Sequence, residues 1–193
     1  MRKAVLLGLV VIFGVLAVSA VALADRGKGK GNGNGKNFSA RLNGWEEDPS
    51  QVTTGTGRFR ATANTTSIAF ELRYEDLEGT NVAQAHIHIG SRHESGGIAA
   101  WLCGGTTQPA CPAGPTATVT GTIEANDIVV TTPINQGIEP GDFAGLLRAM
   151  RKREAYVNVH TVPRAPGGEV RGQVKKGGKG VRNGDDDDDD DDD

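Results

Sequence analysis

Side chains on a strand point alternately to opposite faces, and this chain alternates again and again. In Gln84–Ile89, the residues Ala85, Ile87 and Ile89 share one face, and Gln84, His86 and His88 share the other. Val157 and Val159 repeat the pattern against Tyr156, Asn158 and His160. Phe38, Ala40 and Leu42 mark a first strand, Phe59 and Ala61 a second, and Ile68, Phe70 and Leu72 a third. Ile98–Leu102 is short and largely apolar, and Thr116–Ile123 is rich in β-branched residues suited to a pleated surface. Ile128–Val130 gives a shorter signal, and Val170 and Val174 mark a last strand beside Glu169, Arg171 and Gln173. Asn64–Thr66 reads as a hairpin turn, and Arg164–Gly168 as a Pro/Gly turn.

A single stretch has helical period. Phe143, Leu146, Leu147 and Met150 fall at i, i+3, i+4 and i+7, one face of a helix. Pro140 suits its first turn, and Arg148, Arg151, Lys152 and Arg153 favour the negative end of its dipole. Eight or nine short strands with close turn signals and one short helix predict an all-β fold, an antiparallel Greek-key-like β-sandwich or barrel.

The ends follow a different logic. Arg2 and Lys3 precede an apolar run from Ala4 to Ala24, which ends Ala22-Leu23-Ala24 before Asp25. A basic start, an apolar centre and a small-x-small site predict a signal peptide over residues 1–24, cut between Ala24 and Asp25. An uncleaved membrane anchor is the alternative. Residues 25–36, rich in Gly and Lys, predict a flexible basic linker. Residues 37–174 form the expected β domain, and 175–193 a disordered linker with the acidic run Asp185–Asp193. The chain is therefore expected to be secreted or extracytoplasmic, with no membrane association once the signal is removed.

The net charge of −3 hides a segregation. From Asp25 to Gly184 there are 19 Lys and Arg against 15 Asp and Glu, a net of +4, and the tail then adds nine carboxylates. The basic linker carries no aromatic residue for base stacking, and with export this argues against nucleic acid. The tail suits an extracellular protein, cell-wall or mineral partner, or simple solvation. It lacks the alternating ligands of a calcium loop. Cys103 and Cys111, an even pair in an exported chain, predict a disulfide across a turn-rich loop.

Candidate chemistry concentrates on the two histidine strands. Neutral imidazole is a common ligand for zinc and copper. If the strands are neighbours, His86, His88 and His160 could form a three-nitrogen set with one open position. The same residues, with Gln84, Tyr156 and Asn158, could equally form a hydrogen-bonded polar layer. His93 and Glu94 sit in a polar loop and add little. Glu46, Glu47 and Asp48 could serve acid–base work, but an exposed loop gives no reason for shifted pKa values. Glu169 and Arg171 share a face and suit an ion pair or bonds to a neighbouring loop. No Ser/His/Asp ordering stands out, so the chain reads as non-catalytic.

Several motifs, in order, resemble a CHRD domain, the module first named in chordin. They are Gly55-Thr56-Gly57, Leu72-Arg73-Tyr74, Ala85-His86-Ile87-His88-Ile89-Gly90, Gly96-Gly97-Ile98 with Leu102-Cys103, Tyr156-Val157-Asn158-Val159-His160-Thr161, and Gly168-Glu169-Val170-Arg171-Gly172-Gln173. Trp45-Glu46-Glu47-Asp48-Pro49 departs from the expected Glu-Val-Pro-Pro type of segment. The resemblance implies an extracytoplasmic β domain acting as a binding or structural module, and supplies no catalytic activity. The His86-x-His88 spacing and the late His160 are distantly similar to Cu/Zn superoxide dismutase. That likeness implies a second reading, a copper- or zinc-dependent redox protein.

Overall fold

Among the described residues, nine strands, every pair antiparallel, build a single sheet. They are β1 (Lys36–Asn43), β2 (Thr56–Ala63), β3 (Ser67–Glu75), β4 (Asn81–Ile89), β5 (Ile98–Cys103), β6 (Ala117–Glu124), β7 (Ala155–Val162), β8 (Ala165–Gln173) and β9 (Lys175–Lys176). The structure is a computed structural model that describes residues 36–129 and 136–177. The predicted signal segment and its cut at Ala24–Asp25, most of the basic linker, Val130 and the acidic tail lie outside the described residues. Among the described residues, no helix is long and apolar enough to cross a membrane.

The spatial order is β5-β4-β7-β8-β1-β2-β3-β6, with β9 on β1. The two ends of this order approach each other. Ala100 of β5 bridges Ile128, just beyond β6, and the Val129 amide donates to the Ala99 carbonyl at 2.9 Å. The sheet is thus a nearly closed barrel, in line with the expected all-β antiparallel architecture. Its inner face carries the alternating apolar residues, among them Phe38, Phe59, Leu72, Ile87, Val157 and Val170, all fully or almost fully buried.

Among the described residues there is one α-helix, α1 (Phe143–Lys152), between β6 and β7 in the chain. Phe143, Leu146, Leu147 and Met150 are buried, as their spacing predicts. The start differs from the sequence expectation. Asp142 is the N-cap, accepting from the Gly145 amide at 2.7 Å, and Pro140 lies outside the helix. An aspartate cap satisfies an orphan amide, which a proline cannot do. Gly141 at φ 84° ends any earlier helical path. The last turn is as expected from charge, with Arg151 and Lys152 there and Arg153 as a left-handed cap at φ 62°.

Two local features depart from the alternation pattern. The turn before the last long strand is confined to Pro163–Arg164, and β8 begins at Ala165 rather than after Gly168. Ile128 makes a single bridge instead of a strand. Cys103 and Cys111 form the expected disulfide, with Cα atoms 4.9 Å apart.

Candidate metal centre

β4 and β7 are neighbours, and their register decides what meets. Gln84 lies opposite His160, His86 opposite Asn158, and His88 opposite Tyr156. His160 is therefore diagonal to His86, within reach across an antiparallel pair. The ring centroids of His86 lie 4.5 Å from those of both His88 and His160. One nitrogen from each of the three rings can be chosen so that all lie within 4.8 Å of one another. Among the described residues this is the one such cluster of potential ligands.

The cluster is on the outer face of the barrel but out of water. His86 is 1% exposed, His88 8% and His160 7%. The chain from Gly44 to Gly55 and the loop Ser91–Gly97 account for this, for both reach the polar face. Arg171 of β8 donates to the carbonyls of Ser91 and Glu94 at 2.9 and 2.8 Å. Glu169 accepts from Thr53 at 2.7 Å and from the amides of Glu78 and Gly79 at 2.6 and 3.1 Å, and Thr161 donates to it as well. Burial alone would raise Glu169, but these hydrogen bonds hold it below the usual carboxylate range. Glu169 and Arg171 thus bond to neighbouring loops, one of the two expectations.

Each ring is fixed differently. The His160 Nδ1 lies 2.9 Å from the Pro166 carbonyl. A carbonyl can only accept, so Nδ1 carries the proton and Nε2 keeps a lone pair. The same argument holds for His88, whose Nδ1 is 2.8 Å from the Gly96 carbonyl. Its Nε2 sits 3.1 Å from the Asn158 side-chain oxygen, which only accepts, so with Nδ1 protonated the carboxamide must turn its NH₂ group toward this nitrogen. The His88 ring stacks on Tyr156 with centroids 4.6 Å apart, and the Arg171 guanidinium lies 3.4 Å over the same phenol. Both cannot share one ring face, so Tyr156 is held between them. Gly96 completes the clamp, its amide donating to the Tyr156 hydroxyl at 3.1 Å. Only glycine fits there, since a Cβ would come within 1.5 Å of the Ile89 carbonyl oxygen.

His86 is central and has no partner on either nitrogen, and the Nε2 of His160 has none either. Trp101 meets His86 edge-on at 5.0 Å. Burial pushes His86 down to about 2, helped by repulsion from His88 and His160, and pushes His88 down to about 4. Burial also lowers His160, against the opposing hydrogen bond to Pro166. All three are neutral imidazoles near pH 7, the form that donates to a metal. Imidazoles bonded to carbonyls on the far nitrogen are the usual setting of a ligating histidine.

Near the cluster lies a group that the sequence reading set aside. Glu47 is not in an exposed loop but 5% exposed, because a 3₁₀ turn over Gly44–Glu46 folds it onto β8. Burial raises its carboxyl to about 7, with the Arg171 charge and bonds to Asp48 and Asn158 opposing. Its Oε1 has no hydrogen-bond partner. Room for it exists because Gly168, at φ 128°, has no Cβ; one would lie 2.5 Å from Oε1. The other loop groups stay outside. Glu46 pairs with Arg92, and His93 and Glu94 are exposed.

The family model for the CHRD domain matches residues 38–174. The chain belongs to the CHRD domain family. That is an extracellular-type family, and the Cys103–Cys111 bridge agrees with an oxidising compartment. The matched stretch contains both histidine strands and the loops that cover them, so the buried cluster is part of the CHRD domain itself. No curated protein and no solved structure matches the chain. The distant likeness to Cu/Zn superoxide dismutase accordingly has no structural match behind it.

Proposed function

We propose that this CHRD chain is an exported, non-catalytic module that holds one transition-metal ion, of the copper or zinc kind, between His86, His88 and His160. The supporting observation is that both ring nitrogens of His86 and the Nε2 of His160 are buried without a partner, with His88 beside them. Buried polar atoms almost always find a partner, and leaving one without costs about 1–3 kcal/mol. A single ion accepting lone pairs from His86 and His160 would remove that cost, and the Nε2 of His88 would exchange its Asn158 contact for the ion. An all-nitrogen set suits zinc or copper and does not suit calcium or magnesium, which take oxygen ligands. The burial of all three rings favours retention of an ion over turnover of a substrate. The redox reading has less behind it, since no second ligand cluster accompanies the first among the described residues.

The test uses a chain ending at Gly184, because Asp185–Asp193 would gather divalent ions loosely by itself. After chelation and incubation with Zn²⁺ or Cu²⁺, elemental analysis should find about one ion per chain. Tm should rise, since the ion binds the folded form alone. His160→Ala should lose both effects. In a Trp45→Phe background, Cu²⁺ should quench Trp101, the indole beside His86. A chain that retains neither ion, with unchanged Tm, would end this reading. Superoxide consumption by the copper-loaded chain, abolished by His86→Ala, would put the redox reading first.

A further inference from the structure

β5 is one end of the sheet order, and among the described residues no further strand runs along its outer edge. Ala100 bridges Ile128 there, and the Val129 amide donates to the Ala99 carbonyl. The Cys103–Cys111 bridge adds a covalent tie. Cys111 is followed by Pro112, whose carbonyl accepts from the Tyr74 hydroxyl on β3 at 3.1 Å. The disulfide therefore fastens the end of β5 to the other side of the barrel seam. Inside the loop that it closes, the Gly104 amide donates to the Pro109 carbonyl at 2.7 Å, and Gln108 donates to the Thr122 carbonyl of β6 at 3.2 Å.

Trp101 sits on this strand directly opposite His86, with ring centroids 5.0 Å apart. His86 is buried and Trp101 is half-buried, so the indole stands between the central imidazole and solvent on the β5 side. The disulfide loop rests on that indole. A Cβ on Gly105 would lie 1.9 Å from its Cδ2, 2.3 Å from Cγ and 2.4 Å from Cε3. The other walls of the cluster are fastened from β8, where Glu169 holds Thr53 and Arg171 holds Ser91 and Glu94. The indole wall is the one fastened through the disulfide.

We propose that the Cys103–Cys111 bridge is a redox latch on the histidine cluster. Closed, it holds Trp101 over His86; opened by a dithiol, it frees the indole, lets His86 reach solvent and gives an ion its way in or out. The statement about the ion rests on the metal reading above, and the statement about His86 does not. The opening step is ordinary exchange. One thiolate of the dithiol attacks the sulfur of Cys111, which is half-buried where Cys103 is buried. The S–S bond breaks and Cys103 leaves as a thiolate that takes up a proton. The second thiol then displaces Cys111, and the dithiol departs as a cyclic disulfide.

The experiment labels the imidazoles of the metal-free full chain with diethyl pyrocarbonate, chelator present, and reads each histidine by peptide mass. His93, already exposed, is the internal reference. The bridge is opened with a water-soluble phosphine, which unlike a thiol does not hold zinc. Reduction should speed labelling of His86 by about ten- to a hundredfold, the range expected for releasing a loop this short. His160, farther from the indole, should change much less. Gly105→Ala presses on the indole with the bridge intact, and should raise His86 labelling in the oxidised chain. Unchanged His86 labelling in either case would overturn the latch. So would an equal rise at His86, His88 and His160, which would mean that the bridge supports the barrel as a whole. A zinc-loaded chain is then mixed with excess chelator. Ions on the acidic tail leave at once, and the slow phase should quicken on reduction as His86 labelling does. A slow phase that reduction leaves alone would overturn Trp101 as the ion's way out. No slow phase, with His86 labelling still raised, would end the metal reading and leave the latch standing.

Discussion

Glu47 is the residue whose ionisation bears most directly on the loop over the histidines. Its folded carboxyl, raised by burial to about 7, holds a proton that the unfolded chain releases near 4.5. The folded state therefore loses stability as pH rises from about 4.5 to about 7. Above that the loss is complete, at roughly 3 kcal/mol for a shift of this size. Glu47→Gln keeps the shape and cannot ionise. Urea denaturation should find it close to the parent at pH 4.5 and more stable than the parent at pH 8. Equal stability of the two chains at pH 8 would mean the carboxylate ionises there without cost. Gly96 gives a second prediction at this scale. A Cβ there would meet the Ile89 carbonyl oxygen, whereas one on Gly167 would meet nothing within 4 Å. Gly96→Ala should cost roughly 2–4 kcal/mol and Gly167→Ala less than about 0.5, both read from urea midpoints.

At the scale of elements, the two covering segments depend on β8. Arg171 donates to the carbonyls of Ser91 and Glu94 and lies over Tyr156. Arg171→Leu removes both and leaves the β4–β7 ladder intact. Hydrogen exchange at the amides of Ser91–Gly97 should speed up, and exchange at Val157 and Val159 should change little. Equal acceleration in both places would mean that Arg171 supports the barrel and not the loop. This division also explains what could be read in advance. The strands were legible because Ile87, Val157 and Val159 alternate with polar neighbours, a local signal. The helix face was legible for the same reason, and its start was misplaced because Asp142 and Pro140 both carry start signals. The register that sets His86 opposite Asn158 is a property of two strands seventy residues apart, and alternation says nothing about it. Glu47 was misjudged because its burial comes from a loop folding onto β8. The one available sign was Gly168, whose missing Cβ leaves the space.

Over the whole molecule, the titrating groups act in opposite directions, and their sum fixes how the stability of the metal-free chain varies with pH. His86, His88 and His160 are lowered by burial, two of them to about 2 and about 4. Below about 6.5 the unfolded chain takes up a proton at each, while the folded chain does not. Stability contributed by these three groups is whole above 6.5 and falls as pH drops toward their folded values. Glu47 works the other way between about 4.5 and 7. In the shared window up to three protons favour the unfolded chain and one favours the folded chain. The difference, about two protons, gives a slope of up to roughly 2.7 kcal/mol per pH unit. Below 4.5 Glu169, held low by its hydrogen bonds, adds to the loss. Stability should therefore rise steeply from about pH 4.5 and level off above about pH 7, where these groups have finished titrating. Denaturant midpoints from pH 4 to 9 would measure it. His86→Phe and His160→Phe should each flatten the acid limb by about one proton and leave the level stretch above about pH 7.5 unchanged, since Glu47 has lost its proton there. A parent chain with a flat profile from pH 5 to 7 would mean that the rings are hydrated in solution. The closed face over the cluster would then not persist there.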